Sequence, residues 1–167
     1  MTKLFFALLL AVTPQAQPYS SPQIVELWFR YFNLLDGSEH SVNQLLSLYA
    51  PDAMHQTGPA TRQIGPVFYE GQAAIRKMAT DIGTKYAELA YRVEYASAKE
   101  KSVQLHFTAE GPWGGPAVAV EFVGAYTVKE TTKRYMVPGA AFFYIEGGKI
   151  RRLRLYEATS ELTEVVK

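Results

Sequence analysis

Two stretches constrain the fold of this chain most: Tyr49-Ala-Pro-Asp-Ala-Met-His55 and, after a loop, Tyr69-Glu-Gly-Gln-Ala-Ala-Ile-Arg76. A helix arrives at Ala50-Pro51 and stops, because the residue before a proline avoids the α region. Ala53–Thr57 then reads as a short strand, Gly58 to Pro66 as a loop of Gly, Pro and polar residues, and Val67–Glu70 as the returning strand. Gly71 opens a helix that runs to Ile82, with Ala74, Ile75, Met78, Ala79 and Ile82 facing inward and Gly83 as its stop.

The flanks complete the order. Ser20-Ser-Pro-Gln23 is a helix start, with a serine cap and a proline in the first turn. Ile24, Leu27, Trp28, Tyr31, Leu34 and Leu35 recur at helical spacing, and Gly37 ends that helix. Ser41-Val-Asn-Gln44 resembles a capping box for a second helix, whose stripe is Val42, Leu45, Leu46 and Tyr49. Strands follow at Ala87–Ser97, Lys101–Glu110, Val118–Glu130, Tyr135–Glu146 and Lys149–Tyr156, with Gly147-Gly148 as a two-residue hairpin turn. Helices first and an antiparallel meander afterwards predict an α+β fold. A curved sheet wrapped around helices leaves a space between them.

Composition limits what such a space is for. The 167 residues suffice for one domain with a real core. Residues 20–167 are expected to form that single domain, without repeats or a linker. Eleven Tyr and nine Phe supply apolar walls with polar tips, as a partly wet cavity requires. A formal charge of +1 gives no reason to expect nucleic acid as a partner. With no Cys, disulfides and thiolate chemistry are excluded, and His40, His55 and His106 are too far apart in sequence to suggest a metal site. No cofactor is implied. Lys3 followed by the apolar run Leu4 to Val12 and the break Thr13-Pro-Gln-Ala16 reads as a signal peptide, so residues 1–19 are expected to be a leader and the protein secreted or periplasmic. That run is too short to span a bilayer.

Arg30-Tyr-Phe-Asn-Leu-Leu-Asp36, Leu48-Tyr-Ala-Pro-Asp-Ala53, Tyr69-Glu-Gly-Gln-Ala-Ala-Ile75 and Gly148-Lys-Ile150 together carry a resemblance. The chain resembles the nuclear-transport-factor-2-like superfamily, in its ketosteroid-isomerase-like and polyketide-cyclase-like (SnoaL-like) branch, from Gln23 to about Glu161. The resemblance implies a cone: a curved antiparallel sheet wrapped around three N-terminal helices, a cystatin-like α+β barrel that commonly forms a homodimer through its sheet. Steroid isomerases of this superfamily use a first-helix Tyr, and Tyr31 matches it. Their general-base Asp falls here at Thr57, and the protonated Asp of their oxyanion hole falls in Pro138-Gly-Ala-Ala-Phe142, which holds no acid. Steroid-isomerase chemistry is therefore not expected.

The candidate catalytic residues are His55, Tyr31 and Glu157. His55 lies two residues before the lost base, so alternation puts it on the same side of its strand, and an ordinary imidazole suits acid–base work. The bland alternative is a histidine bonded to a tyrosine or a carbonyl in the cavity wall. Tyr31 is a candidate oxyanion donor, or else a packed helix tyrosine. Glu157 continues the row Leu153, Leu155 and is a candidate orienter of His55, or else an exposed strand-end acid. Trp28, Tyr49, Thr57, Tyr69, Trp113, Phe142, Leu153 and Leu155 are the candidate ligand-binding residues. In Val103-Gln-Leu-His-Phe-Thr108, His106 is expected on an outer face. Glu121, if buried, would need a partner, and Arg151, Arg152 and Arg154 read as a solvated strand face. Two functions stay open. One is a secreted domain that binds an apolar or aromatic small molecule. The other is a cofactor-independent isomerase, dehydratase, cyclase or hydrolase using His55 and Tyr31. A protein-interaction module would instead have its cavity filled.

Overall fold

The computed structural model describes residues 19–59, 66–94, 106–108, 117–158 and 161–165. Three helices, α1 (Ser21–Asn33), α2 (Glu39–Leu46) and α3 (Gly71–Lys85), sit in a curled half-barrel sheet. The strands are β1 (Tyr49–Pro59), β2 (Val67–Glu70), β3 (Tyr86–Ala87), β4 (Arg92–Val93), β5 (His106–Thr108), β6 (Ala117–Val128), β7 (Arg134–Glu146), β8 (Lys149–Glu157) and β9 (Thr163–Glu164). Most of the leader, Trp113 and much of the strand pair expected at 87–110 lie outside the described residues.

The path through the sheet is β2-β1-β8-β7-β6-β3. β6, β7 and β8 form the expected antiparallel meander, and the Gly147-Gly148 turn has the positive φ angles (56° and 72°) that a tight hairpin needs. β1, however, pairs parallel to β8, with His55 opposite Leu153 and Thr57 opposite Leu155. The sheet is therefore mixed. Periodicity reports which face a residue takes; it carries no information on which strand lies alongside.

Helix ends follow local chemistry. Gln23 Oε1 accepts from the backbone N–H and the hydroxyl of Ser20, which closes the first turn of α1. The cap of α2 differs from expectation. Ser38, not Ser41, is its N-cap, and its hydroxyl accepts from the Ser41 backbone N–H. Ser41 sits inside the helix and donates its hydroxyl to Asp36 at 2.6 Å. α2 also ends earlier, at Leu46, so Tyr49 and Ala50 belong to β1. Proline tolerates that strand start because no ladder bond from its nitrogen is required there.

The core forms where α1 meets the inner sheet face. Its buried stripe is Ile24, Val25, Trp28, Phe29, Phe32 and Leu35. Leu34 is exposed and Tyr31 only half-buried, so the inward face of α1 is rotated from the one the spacing suggested. The Trp28 ring stacks on Phe32 at 4.7 Å and meets Phe143 edge-on at 5.4 Å. This packing fills one end of the cone and leaves the other end open.

Candidate active site

At the open end lies a cavity of about 450 Å³. α3 contributes Met78, Asp81, Ile82 and Lys85 to its wall, β1 and β2 contribute Thr57, Gly58, Val67 and Tyr69, and β8 contributes Leu155 and Glu157. Phe32, Tyr86, Leu89, Tyr91 and Tyr126 close the remaining sides. The wall is thus mainly apolar and aromatic. Asp81 is already engaged by Lys77 at 2.7 Å on the outside of α3.

Glu157 is the polar feature of this wall that the fold has prepared. Alternation along β8 turns Leu153, Leu155 and Glu157 inward. The Tyr91 hydroxyl donates to Glu157 Oε1 at 2.6 Å. Tyr91 is fixed in turn by Asn33 at the end of α1: the Asn33 amide donates to the Tyr91 carbonyl (2.8 Å) and its oxygen accepts the Tyr91 N–H (2.7 Å). Burial pushes the Glu157 carboxyl above the usual carboxylate range, and the phenol's hydrogen bond partly offsets this. The Tyr91 phenol is pushed up by burial and by the neighbouring carboxylate. Tyr126, in edge contact with Tyr86 at 5.1 Å, is pushed up to about 12, first by burial and then by Glu157.

The sequence-nominated pair is placed elsewhere. His55 is on the inner face, as alternation requires, but one rung deeper than Thr57, where the cone is filled. It is completely buried and does not line the cavity. The Trp28 indole N–H donates to the Tyr49 hydroxyl (2.8 Å), and that hydroxyl lies 2.9 Å from His55 Nδ1. Indole is only a donor, so the phenol oxygen accepts from it and keeps its own proton for Nδ1. The imidazole proton then sits on Nε2, which has no hydrogen-bond partner among the described residues. Burial drops the His55 pKa to about 3, so the ring is neutral. It is the tyrosine-bonded histidine of the bland alternative. Glu157 binds Tyr91 and does not orient His55. Tyr31, on the flank of α1, is not part of the cavity wall either.

Of the expected ligand-binding residues, Thr57, Tyr69 and Leu155 line the cavity. Trp28, Tyr49 and Leu153 are core residues at the filled end, and the ring of Tyr69 meets His55 edge-on between the two regions. Phe142 is on the outer sheet face, where it meets Tyr156 at 6.0 Å, because its neighbour Phe143 takes the inner position. Glu121 is exposed and so needs no buried partner, while Arg151 pairs with Asp52 and Glu146. Of His106 only the strand position is described. Tyr91 and Asn33, which hold Glu157 in this wall, are positions that sequence reasoning missed. Nothing local marks them, since one lies in a supposed strand and the other at a helix end. Among the described residues no group of three His, Asp or Glu side chains gathers as a metal would need.

Fold and cavity together define a pocketed α+β cone. The SnoaL-like domain family matches residues 25–153, and the chain belongs to that family. A solved structure from Xanthomonas campestris pv. campestris, named as a candidate polyketide cyclase, is similar with a TM-score of 0.59 and 20% identity over 84% of this chain and 91% of that one. SalBIII, an epoxide hydrolase/cyclase-like enzyme of pyran ring formation in the polyether salinomycin, matches with a TM-score of 0.59 and 20% identity over 86% and 95% of the two chains. A protein of ketosteroid-isomerase-like fold from Catenulispora acidiphila, in complex with trimethylamine, matches at 0.58 and 18% identity over 82% and 86%. At these identities the likeness is one of fold. Among curated proteins none matches the chain.

Proposed function

We propose that this domain binds an apolar or aromatic small molecule in the cavity beneath α3 and holds the molecule's polar group at Glu157 and Tyr91. The observation that carries this reading is the cavity of about 450 Å³ with a mostly aromatic and aliphatic wall and one prepared carboxylate. Its size suits a compact ring system. N-phenyl-1-naphthylamine, a neutral fluorescent probe, is expected to bind the wild type. Ile82→Trp, which places an indole in the cavity, is expected to weaken binding at least about tenfold. Equal binding by both proteins would move the ligand site elsewhere.

Acid–base turnover is the second reading, and Glu157 is the observation that favours it. A carboxyl with a raised pKa at a cavity wall suits proton transfer far better than the sealed His55. In that reading Glu157 moves the proton and Tyr91 positions it. Cyclase- and isomerase-type chemistry in the fold family is compatible with such a pair.

Export and dimerisation complete the proposal. The charged start and apolar run before Thr13 support removal of the leader and a secreted or periplasmic destination, which the intact mass of exported protein tests directly. The half-buried Phe142 and Tyr156 give the outer sheet face an aromatic character that supports pairing of two copies through the sheet.

A further inference from the structure

Among the described residues Glu157 has a neighbour that donates to it but none that forms an ion pair with it. Its cross-strand partners in the register are Gly139 on β7 and Pro59 on β1, neither of which carries a charge. Arg152 and Arg154 alternate to the other face of β8. Of the other described cations near this end of the cone, Lys77 is held by Asp81, Lys129 by the Gly83 carbonyl and Arg134 by Glu88. Lys85 stands exposed at the mouth, where its charge acts on Asp81. No Lys, Arg or His among the described residues forms an ion pair with Glu157. The Tyr91 hydroxyl donates to it at 2.6 Å, a length within the range of charge-assisted bonds, and a donor on this oxygen favours the ionised form. A partly buried carboxylate ordinarily has a cationic partner.

The cavity wall supplies the second half of the argument. Phe32, Tyr69, Tyr86, Tyr91 and Tyr126 all contribute to it. Aromatic faces carry negative charge density and attract a cation placed over them, most strongly where water is excluded. The same faces and the carboxylate disfavour an anionic ligand. From these two features we infer that the ligand of this cavity is an organic cation, a compact ammonium compound with apolar substituents, whose charge neutralises Glu157 while its substituents lie against the tyrosine and phenylalanine rings. The inference rests on the binding-domain reading above and adds the charge of the ligand to it.

Two probes of nearly the same shape isolate that charge: phenyltrimethylammonium and tert-butylbenzene, each used to displace N-phenyl-1-naphthylamine from the full chain. Phenyltrimethylammonium is expected to bind at least about tenfold more tightly, as a carboxylate and aromatic faces together imply. Glu157→Gln is expected to lose that preference while still binding tert-butylbenzene. Equal affinity for the two probes, or preference for the neutral one, overturns the cation inference and leaves the binding-domain reading standing. Absence of any binding, the fluorescent probe included, overturns both. Should Glu157→Gln fail to fold, the wild-type preference decides by itself, and Tyr91→Phe, which frees the carboxylate from its donor, is expected to keep a preference for the cation.

Discussion

A histidine sealed from water titrates far from where a free one does, and His55 makes this a measurable property of the fold. In the unfolded chain its pKa is near 6.5, and in the fold burial drops it to about 3. The folded pKa is the depressed one. The stability this group contributes is therefore fully present above about pH 6.5 and is lost as pH falls toward 3, by up to about 1.4 kcal/mol per pH unit. His55→Gln is expected to remove about one proton from the uptake on unfolding between pH 6 and pH 4, as read from urea denaturation at several pH values. An unchanged pH slope would mean that the imidazole is charged or wet in the fold. The same residue shows what a sequence can reveal at this scale. Strand alternation correctly gave the face of His55. Its depth depended on Trp28 and Tyr49, which come from other elements and fill the rung around it. Tyr91 and Asn33 were invisible for a related reason: their roles arise from a contact 58 residues apart in the chain.

Among the described glycines, the closest approach is at Gly83, where α3 meets the α1–α2 connection. A Cβ on Gly83 would lie 2.1 Å from the Gly37 nitrogen and 2.7 Å from the Asp36 carbonyl carbon. Both are backbone atoms that cannot rotate away, so this crossing requires glycine. Gly83→Ala is expected to cost about 3 kcal/mol or to prevent folding, by analogy with overpacked cores; thermal or urea unfolding measures it. A loss below about 0.5 kcal/mol would show that the two segments are further apart than described. The sequence reading makes Gly83 a helix stop, but α3 runs on to Lys85 with Gly83 inside it; its packing role depends on what the helix lies against, which no local signal reports. The helices themselves were legible because capping and apolar spacing are local properties. The cap of α2 was misplaced by three residues because Ser38 and Ser41 both suit the role, and the Asp36 carboxylate draws the Ser41 hydroxyl away. The parallel partnership of β1 and β8 was not legible at all.

For the molecule as a whole, the two faces of the sheet have separate tasks. The inner face builds the core and the cavity, while the outer face carries the half-buried rings of Phe142 and Tyr156. If that outer face joins two copies, light scattering will give about twice the mass of one chain. Phe142→Glu is then expected to give a monomer that still binds N-phenyl-1-naphthylamine, because residue 142 points away from the cavity. A wild type that is monomeric at high micromolar concentration would sink the dimer. Retained dimerisation with Phe142→Glu would place the contact on another surface.

The position of β8 has a further consequence. It follows seven other described strands along the chain, yet it occupies the middle of the sheet, where Ile150 faces Tyr49 and Leu155 faces Thr57. A nascent chain that stops before Lys149 lacks the strand that joins β1 to β7, and apolar helix faces stay uncovered until that strand arrives. Such a polypeptide stays open until β8 itself has been made and inserted between β1 and β7.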